Sequence, residues 1–136
     1  MNEKELIRHA LKARENAYCP YSSYAVGACV ECSDGSLFEG CNVENASYGA
    51  TNCAERTAIF KAVSEGHREI AAIAIVGGKK GEEITGFAYP CGVCRQVINE
   101  FAKGDAKIIV AKSENDYRVL TLFELLPEAF GPNNLS

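Results

Sequence analysis

Three cysteines in two separate short motifs constrain this chain more than anything else in it: Cys53-Ala54-Glu55-Arg56 and Pro90-Cys91-Gly92-Val93-Cys94. Cys91 and Cys94 lie three apart at the expected start of a helix, where both sulfurs reach one ion, and Cys53 lies in the first turn of another expected helix. One zinc held by all three obliges the fold to bring two helix N-termini together. A zinc site closed by four protein ligands is structural, whereas three ligands leave a position open for water. Glu55, two residues after Cys53, projects toward that open side as a proton carrier. Standing alone it would read as an ordinary first-turn glutamate favoured by the helix dipole. Three thiolates around Zn2+ carry a net −1, or −2 with hydroxide, which helix dipoles or a nearby cation must offset. Arg56, next to Glu55, is the available cation, placed to neutralise thiolate charge.

At 136 residues the chain is the length of one ordinary domain, read as spanning 1–136 with a frayed tail from 131. Its 47% apolar and 24% charged residues are average globular usage. A net charge of −4 with no basic stripe argues against nucleic acid as a partner. Residues 1–8 have neither the apolar core of a signal peptide nor the basic bias of a transit peptide, and no apolar run approaches a bilayer span. These features predict a cytoplasmic protein with no membrane partner. Seven cysteines, an odd number, fit a reducing compartment in which thiols bind metal or sit buried.

Asn2 with Glu5 fits a helix cap and its reciprocal partner, predicting a helix over about 3–18 that ends before Pro20. Asp34-Gly35 between residues 24–33 and 36–43 predicts an antiparallel hairpin. A loop over 44–52 leads to a helix capped by Thr51 or Asn52 and ending at Gly66. Residues 70–77 form a nearly continuous apolar run, the pattern of a strand buried on both faces. Residues 84–89 fit no period, and a helix over about 92–102 follows Pro90. Strands are expected over 107–111 and 116–120, then a short helix capped by Thr121 and Glu124 and stopped by Pro127. Helix, hairpin, then helices alternating with strands predicts an α/β fold, a three-layer α/β/α sandwich around a mixed sheet of about five strands.

Cysteine-alanine-glutamate followed by Pro-Cys-x-x-Cys resembles the signature of the zinc nucleoside and nucleobase deaminases, in which activated water attacks C4 of cytosine or C6 of adenine. Within that superfamily the chain is similar to the small tetrameric cytidine deaminases. The match runs from Pro20-Tyr21-Ser22 and Val26-Gly27-Ala28, through Gly40-Cys41-Asn42-Val43-Glu44-Asn45-Ala46 and Cys53 to Ala58, to Pro90 to Gln96 and Leu125-Leu126-Pro127. The resemblance implies hydrolysis of cytidine and 2'-deoxycytidine to the uridines and ammonia, with one zinc per subunit. It assigns Asn42 and Glu44 to the ribose 3'-hydroxyl, the Ala54 amide to the base, and the Tyr24 ring to packing on the pyrimidine. It also implies a homotetramer in which Tyr48 and Phe130 close a neighbour's site.

Two other readings stand beside it: an aminohydrolase for a cytosine-nucleoside antibiotic, and a non-catalytic zinc-binding module. The second leaves Glu55 without a purpose. Polynucleotide deaminases present histidine as first ligand and need a basic channel, unlike this acidic chain. Cys29 and Cys32 repeat the C-x-x-C spacing, but in a strand residues three apart face opposite ways, so with Cys19 and Cys41 they read as buried small side chains. His9 and His67 read as solvated.

Overall fold

A computed structural model describes residues 2–135. Its frame is a five-stranded sheet of order β2-β1-β3-β4-β5, with β1 Tyr24–Cys32, β2 Leu37–Cys41, β3 Ile70–Lys79, β4 Ala102–Ser113 and β5 Asp116–Thr121. Only β3 and β4 pair in parallel; every other neighbouring pair is antiparallel, so the sheet is mixed. Asp34-Gly35 turns β1 into β2 as predicted, with Gly35 at φ 91°, a left-handed conformation that suits glycine.

Helix α1, Glu3–Arg14, covers one face of the sheet with Leu6, Ile7 and Ala10 packed on Cys29, Ala74, Val76 and Ile109. The other face holds α2 (Ala54–Ser64), α3 (Gly92–Phe101) and α4 (Leu122–Leu125), whose Ala58, Ile59, Ile98 and Leu122 pack on Val30, Ile73, Ile75, Ile108 and Val110. This is the three-layer arrangement expected. β3 and β4 contribute to both cores, which explains why their sequences are apolar without alternation. Cys29 falls in one core and Cys32 in the other, so the two thiols do face apart.

The differences lie at element ends. The first helix stops at Arg14 rather than at 18, because Tyr18 leaves to bridge Val43: its amide bonds the Asn42 carbonyl and its carbonyl takes the Glu44 amide. Arg14 then reaches back to the carbonyls of Ala25, Gly78 and Lys79, tying α1 to β1 and β3. β4 begins at Ala102, directly after α3, because Ile70 and Ala102 pair ahead of the main register. The predicted capping box at Thr121 and Glu124 is formed on both sides. In the tail, Pro132–Asn134 makes a 3-10 turn; Ser136 lies outside the described residues. Cys41 is half-buried, whereas Cys19 is buried. His9 sits 2.7 Å from Glu39, and His67 3.2 Å from Asp34, so each histidine has a carboxylate partner.

Candidate active site and metal centre

Helices α2 and α3 begin side by side on the sheet face that carries Ala28 and Ile75. Cys53 itself is the residue preceding α2, and Cys91 the residue preceding α3, each with extended backbone and no side-chain capping bond. Neither Thr51 nor Asn52 is the cap. Asn52 is held instead in an antiparallel bridge to Val43, and its side-chain amide donates to the Thr57 hydroxyl. The cysteine sulfurs are thus free to meet, and the Sγ atoms of Cys53, Cys91 and Cys94 all lie within 4.8 Å of one another. Tetrahedral zinc with Zn–S bonds of about 2.3 Å separates its sulfurs by about 3.8 Å, so the donor set fits that ion. Among the described residues no other group of three or more potential ligands gathers this way.

The electrostatics around the thiols are those of a site built for thiolates. Arg56 donates from Nη2 to Cys53 Sγ at 3.2 Å. Its Nε is buried without a partner. The Cys94 thiol hydrogen-bonds Cys53, and with the Arg56 contact this pulls the Cys53 thiol down to about 5. The proton of the pair stays on Cys94, which shifts upward because its own hydrogen bond to Cys53 and its burial both favour the neutral thiol. Glu55 is 4% exposed, and burial pushes its carboxyl up to about 7. A carboxyl poised near neutrality beside a metal site is suited to proton exchange.

Cys53, Ala54, Glu55 and Cys91 line one end of a cavity of about 470 Å³ whose other walls include Tyr24, Val26, Asn42, Glu44, Ile75, Phe87 and Tyr89. That volume is in the usual range for a small-molecule site. Ala54 is fully buried at the first position of α2, where a helix amide has no intrahelical acceptor. Asn42 is tied into β1, its Oδ1 accepting from the Val26 amide at 2.9 Å and its Nδ2 donating to the Tyr24 carbonyl at 2.8 Å. One Nδ2 hydrogen remains for a ligand. Glu44 accepts from the Tyr21 and Ser22 amides and the Ser22 hydroxyl, which holds its carboxyl below the ordinary range, with the hydroxyl the largest cause. Ser23, at φ 60°, makes the left-handed turn that aims Ser22 at Glu44.

Tyr48 is 76% exposed and stacks edge-on with Tyr21 at 6.0 Å, beside the cavity rather than in it. Phe130 is 60% exposed and does not line the cavity; its carbonyl accepts from Gln96 and Asn99 on α3. Ser22, Thr51, Phe87, Ala88 and Tyr89 also line the cavity, though nothing in their residue type or spacing marks them as site residues. Phe87 and Tyr89 alternate just ahead of Pro90, a period-two cue too short to interpret without the fold.

The profile of the cytidine and deoxycytidylate deaminase zinc-binding region matches residues 1–112. A cytidine deaminase of Halalkalibacterium halodurans is 47% identical over 136 residues, covering 100% of this chain and 99% of that protein. One from Sporosarcina psychrophila is 46% identical, with coverage of 100% and 96%. In three dimensions the chain is similar to a crystal structure of cytidine deaminase from Burkholderia pseudomallei, with TM-score 0.86 and 48% identity over 96% of this chain and 100% of that one. It is likewise similar to the Mycobacterium tuberculosis enzyme, with TM-score 0.81 and 38% identity over 96% and 98%. The zinc-fitting thiols, the buried glutamate and these relationships agree: the chain belongs to the cytidine and deoxycytidylate deaminase family.

Proposed function

We propose that this protein is a zinc-dependent hydrolase that deaminates cytidine and 2'-deoxycytidine to uridine and 2'-deoxyuridine, releasing ammonia for pyrimidine salvage in the cytoplasm. The observation that carries the reading is Glu55, buried with its carboxyl raised to about 7 at the cavity end where three thiols converge. Cys53, Cys91 and Cys94 would hold zinc, which when bound would supply the Lewis acidity that makes water nucleophilic near neutral pH. Glu55 takes one proton from the attacking water and passes it to N3 so that C4 becomes electrophilic, then takes the second from the C4 hydroxyl and gives it to the departing amine. One water and one cytidine thus yield one uridine and one ammonia.

The remaining residues bind and orient. In this reading the Ala54 amide donates to the base and the Tyr24 ring packs on its face, roles supported by both residues lining the cavity. Glu44, kept ionised by its three donors, offers acceptor capacity for a ribose hydroxyl, with the spare Asn42 N–H beside it. Arg56 offsets thiolate charge. The assembly we assign is a homotetramer in which the exposed Tyr48 and Phe130 reach a neighbour's cavity. Free nucleoside, rather than polynucleotide, suits a cavity of about 470 Å³ on a chain of net charge −4. No helix among the described residues is long and apolar enough to cross a membrane.

The test is to add cytidine to purified protein of known zinc content and follow its ultraviolet absorbance and ammonia together. Loss of absorbance with equimolar ammonia supports the reading. No spectral change, or turnover confined to a cytosine-nucleoside antibiotic in a substrate panel, overturns it.

A further inference from the structure

Two cations that the chemistry above does not use stand behind one wall of the cavity. The wall is Phe87 and Tyr89, in a connection between β3 and α3 whose residues 83–91 belong to no helix or strand. Such a segment lacks the hydrogen-bond ladder that fixes its neighbours, so its side chains must be held by other means. Ala88 is buried in the core and Pro90 is held through its carbonyl by Arg95 Nε at 2.7 Å, which anchors the backbone on both sides of Tyr89. Phe87 also packs on the core, whereas the exposed Tyr89 ring is not part of it.

The rings are met from β4 and β5. Arg118 pairs across the sheet with Val110, so its side chain rises from the face that carries Ile108 and Val110 and the cavity; Lys112, at the register shift between Ala111 and Ser113, reaches the same aromatic pair. Arg118 Nη1 donates to the Tyr89 hydroxyl, and its guanidinium lies 5.8 Å from the Tyr89 ring centre and 6.0 Å from that of Phe87. Lys112 Nζ lies 4.8 Å from the Phe87 ring centre. The rings meet edge to face at 6.5 Å. Charge over an aromatic face is attractive, and the hydroxyl bond adds direction.

We infer that Arg118 is a positioning residue for Tyr89, and that with Lys112 it fixes the aromatic wall against which the substrate rests. Arg118 touches no cavity surface, so it acts through Tyr89. It is exposed on the sheet's outer strand, so its removal leaves the core intact. The inference rests on the substrate cavity assigned above.

Steady-state kinetics on zinc-loaded Arg118→Ala, Tyr89→Phe and the double variant, with uridine binding measured by calorimetry, tests it. Losing one hydrogen bond and its accompanying ring contact should raise KM for cytidine about three- to tenfold with kcat within about twofold, and weaken uridine binding by the same factor. The double variant should be no worse than the worse single one, because both remove the same contact. Arg118→Lys, which keeps a cation and a donor, should fall between Arg118→Ala and wild type. An unchanged KM in Arg118→Ala, effects that multiply in the double variant, or a fall in kcat alone would overturn the inference. Wild-type protein that turns over no cytidine would overturn the cavity assignment instead.

Discussion

Replacing Arg56 by glutamine removes the one charge-assisted hydrogen bond that reaches Cys53 from a cation among the described residues, 3.2 Å from Nη2 to Sγ. A hydrogen bond to a charged group contributes about 1.5–3 kcal/mol, which at about 1.4 kcal/mol per tenfold is a 10- to 150-fold change in zinc affinity. Residues that support metal ligands usually cost about 10- to 100-fold when lost, so the two estimates overlap. Arg56 is only partly buried, which favours the lower half of that range. The effect must also depend on pH. The Cys53 thiol is held near 5 first by Cys94 and then by Arg56, so glutamine lets it drift back toward its ordinary 9. In the variant a proton competes with zinc at pH values where the wild-type sulfur is already a thiolate, and the loss is therefore larger at pH 6 than at pH 8. Competition with a chromogenic chelator at both pH values measures it, with circular dichroism as a check on folding. A folded Arg56→Gln protein whose zinc affinity stays within twofold of wild type at both values refutes the reasoning.

Glu55→Gln should retain zinc yet lose about 10²-fold or more in kcat, read from metal content and initial rates; wild-type turnover would rule out the proton-carrier role. Metal-free protein offers an independent readout of the same group: a carboxyl shifted from 4.5 to about 7 keeps a proton that the unfolded chain gives up. Its stabilising contribution is full below about pH 4.5 and lost as pH rises through 7, amounting to about 3 kcal/mol, so urea denaturation should show that decline in wild type relative to Glu55→Gln. In Gly40→Ala the new methyl would lie 2.5 Å from the Ala58 nitrogen and 2.7 Å from the Ala54 carbonyl oxygen, against the backbone of α2. The helix must retreat from β2, at about 1–3 kcal/mol, and because α2 carries Glu55 and follows Cys53, kcat should fall with the melting temperature; an unchanged melt would show that the contact yields freely. Deleting residues 128–136 removes Phe130, and should raise KM and loosen assembly; unchanged kinetics with an unchanged sedimentation profile would refute Phe130's role.

Much of the fold was legible because its local signals agree with its contacts. Asp34-Gly35 turns whatever flanks it, Thr121 and Glu124 satisfy each other's amides within four residues, and the run beginning at Ile70 is apolar because both faces are covered. The misjudged ends share one cause, competition from a distant partner. Arg14 is followed by residues that could have continued the helix, but Tyr18 finds Val43; Asn52 could have capped α2, but its backbone also finds Val43. β4 starts early because Ile70 offers Ala102 a ladder partner.

At the site the division is sharper. Residue type and spacing alone determined the chemistry: three soft ligands, an acid two positions from one of them, and a cation next to it, because which groups bind zinc or move protons depends on the atoms they carry. Only the tertiary structure decided where that chemistry faces. The strand order that sets α2 beside α3, the burial that lifts Glu55 to about 7, the Ser22 hydroxyl that holds Glu44, and the Phe87–Tyr89 wall braced from β4 and β5 all join residues far apart in the chain. Desolvation and shape are properties of the surroundings of a group, and those surroundings exist only once the sheet has assembled.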